Sequence, residues 1–150
     1  MGCDIHSHAE RKNPNGEWEI VSLIDPPFNW RSYGVFAFLA GVRNYSAVTP
    51  IAPPRGLPED ISNSVKADYD SWNSDAHTPS WLTVKELSDF DYDQRMEDRR
   101  CMRGNDGGCT CDPGEGILTT YREFFGDGFL LEIQRLGAVG AERIVFWFDN

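Results

Sequence analysis

Near its start the chain places four side chains able to bind a metal or move a proton at every second position: Asp4, His6, His8 and Glu10. A β-strand turns alternate side chains to opposite faces, so as a strand this stretch carries all four on one side and Cys3, Ile5, Ser7 and Ala9 on the other. Imidazole nitrogens together with carboxylate oxygens are suitable ligands for zinc, manganese or iron. Asp4, His6 and His8 are therefore the expected ligands of a divalent metal, with Asp149 as a fourth. His8 and His77 are the candidate catalytic groups. His77 precedes Pro79 on what reads as a stiff loop, and would complete the site or serve as a general acid. The competing reading is a solvated strand face that happens to carry histidines.

A second set of residues suits an anionic ligand with a planar ring. Arg43 and Arg55 are the candidate phosphate clamps, and Tyr45, Trp81 and Trp147 the candidate stacking groups. Arg55 sits in a loop stiffened by Pro50, Pro53, Pro54 and Pro58. Glu59 and Asp60 follow it closely, and an Arg55 that pairs with these acids to fix the loop is an equal alternative. Three of the four cysteines, Cys101, Cys109 and Cys111, crowd into one stretch. They could clip a structural zinc, but a Cys-x-Cys pair is not the usual zinc-knuckle spacing, and reduced thiols are the default expectation.

These residues must be positioned by a small set of elements. Asn13-Pro14-Asn15-Gly16 matches a type I turn followed by a left-handed Gly, which predicts a hairpin that pairs Asn13 with Glu17. That register puts Ala9 opposite Val21, His8 opposite Ser22 and His6 opposite Ile24, with Val21 and Leu23 on the core side. Asp25-Pro26-Pro27 ends the second strand. A core helix follows from an N-cap at Asn29 or Ser32, carrying Val35, Phe38, Leu39 and Val42 at helical spacing. Pro58 suits the first position of another helix, with Ile61, Val65 and Tyr69 on one face. Thr83 with Glu86, and Thr120 with Glu123, read as capping boxes. The second of these opens a helix whose Phe125, Phe129, Ile133 and Leu136 share a face. The stretch Ser88 to Gly116 reads as a Cys/Gly-rich excursion, at about 91–116. Finally Arg143 to Asn150 is a β-branched and aromatic strand that should join the hairpin, with Ile144, Phe146 and Phe148 on one face and Val145, Trp147 and Asp149 on the other. The fold class is α+β: a small antiparallel sheet packed against several helices in a single domain, 1–150.

The net charge of −10 over 150 residues argues against a protein that tracks a nucleic-acid polymer, whose backbone attracts clustered Lys and Arg. No apolar run approaches the roughly 20 residues that cross a bilayer. A cytoplasmic protein is expected, homo-oligomeric and partnered by a small anionic or nucleotide-like ligand.

Two resemblances add to this reading. Asp4-x-His6-x-His8 is similar to the first-strand metal motif of the amidohydrolase and PHP-type phosphoesterase superfamilies, which hydrolyse phosphoesters or amides with metal-activated water. Those families use a barrel of about 250 residues, so the likeness is confined to a ligand arrangement. Over most of its length the chain resembles a family of small uncharacterised proteins of bacteriophage genomes. The residues that carry it are Gly2-Cys-Asp-Ile-His6, Leu39-Ala-Gly-Val-Arg43, Pro54-Arg-Gly-Leu-Pro58, His77 with Ser80-Trp-Leu82, and Val145-Phe-Trp-Phe-Asp149. The resemblance implies a phage or prophage origin and a role against host defences, which use nucleotide immune signals. The reading favoured is a metal-dependent phosphoester hydrolase. The alternatives are a non-catalytic binder that sequesters such a signal, and a structural or interaction protein.

Overall fold

The computed structural model describes residues 2–101 and 108–150. In chain order its elements are β1 (Asp4–Lys12), β2 (Trp18–Val21), α1 (Tyr33–Ala40), α2 (Asn63–Ser71), β3 (His77–Thr83), α3 (Val84–Asp89), β4 (Arg95–Asp98), β5 (Ile117–Thr120), α4 (Tyr121–Phe125), α5 (Asp127–Ala138) and β6 (Arg143–Asp149). The class is α+β, as the sequence indicates. The chain forms two compact units: Met1–Arg31, Pro54–Phe90 and Leu131–Asn150 make the first, and Ser32–Pro53 with Asp91–Leu130 the second.

The first unit is built on a four-stranded antiparallel sheet in the order β2-β1-β6-β3. The turn that opens it forms as its chemistry demands. Asn13 Oδ1 accepts the amides of Asn15 and Glu17 at 2.9 and 3.0 Å, and Gly16 takes a φ of 81°. The Asn13 amide donates to the Glu17 carbonyl at 2.8 Å, and Ala9 stands opposite Val21. Beyond Val21 the hairpin departs from expectation: β2 stops there, and Ile24 is 99% exposed instead of facing His6. Along its other edge β1 is paired over most of its length by the C-terminal strand, from Asp4↔Asp149 to Glu10↔Arg143.

The fourth strand, β3, is absent from the sequence reading because Pro79 argues against a strand. Proline is tolerated there because β3 is an edge strand whose pairing to β6 is irregular between His77 and Ser80. His77 thus lies on a strand and not on a loop. Ile144, Phe146 and Phe148 are buried on one face of β6, and Val145 and Trp147 are equally buried on the other. The second face is dry because Val65 of α2, with Ile61, Tyr69 and Trp72, packs onto Val145 and Trp147. The polar face of β1, for which a solvated surface was the competing reading, is thus partly covered, and His6 and His8 are left about a quarter exposed. This helix begins at Asn63, not at Pro58, since the Ser62 amide is committed to Glu10 Oε2 at 2.9 Å. The Thr83–Glu86 capping box is present and opens α3.

In the second unit Ser32 caps α1 through its Oγ and Gly41 ends it at a φ of 72°, a conformation open to glycine without a Cβ penalty. Phe38, Tyr92, Tyr121, Phe125 and Phe129 pack ring against ring. Within the excursion at about 91–116 lies β4, which pairs antiparallel with β5 just beyond it, and residues 102–107 lie outside the described ones. Thr120 caps α4 by accepting the Glu123 amide, but the helix is interrupted at Gly126, so α4 and α5 replace one long helix. Cys101 and Cys109 form a disulfide with Cα atoms 5.3 Å apart. The expectation of reduced thiols is thereby corrected at Cys101 and Cys109. Cys111 is not disulfide-bonded. Among the described residues no helix is long and apolar enough to cross a membrane.

Candidate functional site

Residues paired directly across an antiparallel sheet point to the same face. The register therefore collects on one face Asp4, His6, His8, Glu10 and Lys12 of β1, Arg143, Val145, Trp147 and Asp149 of β6, Trp81 and Thr83 of β3, and Trp18 of β2. The α2 roof divides this face into a histidine end and an arginine-tryptophan end.

At the histidine end the four expected metal ligands are near one another but do not converge. Both oxygens of Asp4 are held by Arg31, at 2.8 and 2.7 Å. That guanidinium is the main reason the Asp4 carboxyl is held below its ordinary range. Asp149 accepts the Asp4 amide at 3.1 Å through one oxygen and meets His6 Nε2 at 2.9 Å through the other. His8 Nε2 turns instead to Asp68 of α2, at 2.7 Å. A carboxylate can only accept, so Nε2 is the protonated nitrogen in both pairs and Nδ1 is the one left for other chemistry. His6 also packs against Trp72, ring centroids 3.8 Å apart. Among the described residues no group of three His, Cys, Asp or Glu is arranged to hold a metal ion.

The other expected residues are scattered. His77 is paired with Phe148 and stacks on its ring at 6.1 Å, which puts it on the opposite face of the sheet from His6 and His8. Its Nδ1 meets Thr78 Oγ1 at 3.0 Å, and its Nε2 is buried without a hydrogen-bond partner among the described residues. Trp147 is fully buried in the core beneath α2 and has no ring face to offer a ligand. Arg43 and Tyr45 belong to the second unit, where the Arg43 guanidinium donates to the Tyr45 hydroxyl at 3.2 Å. Of the expected ligand-binding set, Arg43 and Tyr45 thus meet in the second unit and Arg55 and Trp81 in the first.

Arg55 and Trp81 meet in a cavity of about 590 Å³, whose walls include Trp18, Arg55, Glu59, Asp60, Trp81 and Arg143. Arg143 is its keystone. Although only 3% exposed, it donates to Glu10 Oε1 at 2.7 Å, to Asp60 Oδ1 at 2.8 Å and to the Asp60 carbonyl at 3.3 Å. Glu10 is itself fully buried and receives the Ser62 amide through its second oxygen. The Asp60 carboxyl is held below its ordinary range, first by Arg143 and also by the Trp18 indole N–H, which donates to Oδ2 at 2.8 Å. Arg55 donates to both oxygens of Glu86 and to the Trp81 carbonyl. This clamp holds the Glu86 carboxyl down to about 2.

The rings and cations of the cavity alternate. Lys12 Nζ lies 5.4 Å from the Trp18 ring, the Arg143 guanidinium 3.6 Å from Trp18 and 5.9 Å from Trp81, and the Arg55 guanidinium 4.7 Å from Trp81. Such contacts are attractive through the ring quadrupole and hold both indoles in place. The volume falls within the roughly 300–1,000 Å³ of small-molecule sites. Trp18 and Arg143 had no role in the sequence reading, while Glu10 was one of the four side chains of β1 able to bind a metal or move a proton and Asp60 a possible partner of Arg55. The signal for Arg143 was available, because sliding β6 along β1 until opposite charges meet places Arg143 across from Glu10.

Comparison with family profiles, with curated proteins and with solved structures found no match to this chain.

Proposed function

We propose that the protein binds a small nucleotide-like ligand without needing to transform it, with the ring of that ligand seated in the Trp18–Trp81 cavity. The observation that carries this reading is the cavity itself: two indoles held by cation contacts, in a volume sized for a nucleotide. Preorganised aromatic walls favour a flat ligand, since little ordering entropy remains to be lost on binding. The resemblance to small phage proteins supports a ligand drawn from nucleotide immune signals and a role in sequestering them. The test is a titration of intrinsic tryptophan fluorescence with nucleoside monophosphates, followed by denaturation and analysis of the released ligand. Saturable quenching and intact ligand are expected. Absence of quenching, or recovery of a cleaved product, refutes the reading.

A second reading, a phosphoester hydrolase, is favoured by the neighbouring pairs His6–Asp149 and His8–Asp68. A carboxylate behind an imidazole orients it and stabilises its protonated form, which is the arrangement of general acid–base catalysis. For a metal to use these residues as ligands, Asp149 and Asp68 would have to release the two imidazole Nε2 atoms or the metal would have to bind at Nδ1. Product formation from a phosphodiester panel, abolished by His6→Ala with the fold intact, would establish it. An unchanged His6→Ala variant would remove it.

A further inference from the structure

Resting on the cavity reading above, we infer that the base this site selects is of the guanine type, read along its donor edge by Glu59. Most charges in the cavity are already spent. Arg55 is committed to Glu86, and Arg143 to Glu10 and Asp60. Asp60 has one oxygen on Arg143 and the other on the Trp18 indole. Glu59 lines the same cavity, is exposed, and has no hydrogen bond or ion pair among the described residues. Beside the aromatic walls Glu59 therefore leaves a pair of carboxylate oxygens open to a ligand, and the one other charge not tied to an opposite one among the described residues is Lys12, whose ammonium lies against the Trp18 ring.

Charge balance sets the orientation. Three cations, Arg55, Arg143 and the Lys12 ammonium beside Trp18, face four carboxylates at or behind the cavity wall, those of Glu10, Glu59, Asp60 and Glu86, and the balance stays negative. Such a site repels a phosphate and accepts an uncharged ring, so the ring enters and the phosphate stays towards solvent. Of the two roles weighed for Arg55, phosphate clamp and carboxylate partner that fixes its loop, this favours the second, with Glu86 as the partner in place of Glu59 or Asp60.

A carboxylate discriminates among bases by what they present to it. Guanine offers two adjacent N–H donors, on N1 and the 2-amino group, which match two carboxylate oxygens as a charge-assisted pair. Hypoxanthine keeps only the N1 donor. Adenine places an unprotonated ring nitrogen where the first donor should be, setting a lone pair against the carboxylate. Hydrogen bonds to a charged acceptor are each worth enough to separate these ligands by roughly 10-fold to 100-fold.

The test is fluorescence titration of the full chain with GMP, IMP, AMP and inorganic phosphate, repeated on Glu59→Gln and Trp81→Ala. Binding in the order GMP, IMP, AMP is expected, with no response to phosphate. Glu59→Gln should weaken GMP by about 10-fold or more and should not weaken AMP, whose ring nitrogen then meets an amide donor in place of a carboxylate lone pair. Trp81→Ala should weaken all three nucleotides together, because stacking does not depend on the edge. Glu59 is exposed, and an unchanged urea midpoint in Glu59→Gln checks that the fold is intact. Equal affinity for GMP and AMP, or an unaltered GMP affinity in Glu59→Gln, overturns the guanine assignment while the cavity reading stands. Absence of binding by every nucleotide overturns both.

Discussion

Replacing Arg143 by Met should unfold much of the stability margin and close the cavity in one step. The guanidinium is 3% exposed and its partner Glu10 is fully buried, so the substitution leaves a carboxylate in the interior with only the Ser62 amide to answer it. Breaking a buried ion pair from one side costs about 3–5 kcal/mol, because the remaining charge stays desolvated and uncompensated. Against a typical total of about 5–15 kcal/mol, that is a large fraction. For a chain of this size it corresponds to a fall in Tm of roughly 6–20 °C. The pair as a whole has a different worth from either half. Converting both members to apolar groups, Glu10→Leu with Arg143→Met, should recover most of the loss and end within about 1–2 kcal/mol of the native chain. The exposed half of the network, Asp60, can be rehydrated, and only the Ser62 amide loses an acceptor. Urea unfolding followed by far-UV circular dichroism measures all three variants, with the m-value checking that the two-state slope is unchanged. A loss below about 1 kcal/mol in Arg143→Met, or a double variant as unstable as the two single ones added together, would refute the account of this network.

Three further outcomes follow from the same structure. The Glu86 carboxyl is held at about 2 by Arg55, below its ordinary 4.5, so the stabilisation from this clamp is complete above pH 4.5 and is lost as pH falls towards 2. Glu86→Gln should cost on the order of 1 kcal/mol in urea unfolding at pH 6, after allowance for solvent screening, and a smaller amount at pH 3. A cost that grows on acidification would contradict this sign. Trp147→Ala should destabilise by about 3–5 kcal/mol, as befits a large core ring and not a ligand contact. An unchanged urea midpoint with lost ligand binding would reverse that assignment. Alkylation after denaturation without reductant should label two of the four cysteines, Cys3 and Cys111, and all four once Cys101–Cys109 is reduced. Four adducts at the outset in a mass spectrum would contradict the pairing.

The parts of this fold that were legible in the sequence are those held by local chemistry. Asn13-Pro14-Asn15-Gly16 specifies its turn and hence the Ala9–Val21 register without reference to the rest of the chain. Ser32, Gly41, and Thr83 with Glu86 mark helix ends through bonds to their own neighbours. The illegible parts depend on partners distant in sequence. Pro79 forbids a regular strand unless that strand lies at a sheet edge with a bulge, and edge position is a property of the assembled sheet. The alternation of Asp4, His6, His8 and Glu10 correctly reported one face, but not that α2 would cover it and draw His8 to Asp68. For the candidate site, Arg55 and Trp81 were found from residue type alone. Trp18, Asp60 and Arg143 come together only because β2, the segment before α2 and β6 converge on one face.

The central claim, that the Trp18–Trp81 cavity is the ligand site, is tested most directly by the indole N–H resonances of the five tryptophans in a two-dimensional ¹⁵N NMR titration with GMP. The account predicts that the Trp18 and Trp81 signals move together and saturate, while that of Trp147, buried beneath α2, stays in place. Movement of Trp72, which lies against His6, with Trp18 and Trp81 unmoved would transfer the site to the histidine end of the sheet and contradict the claim.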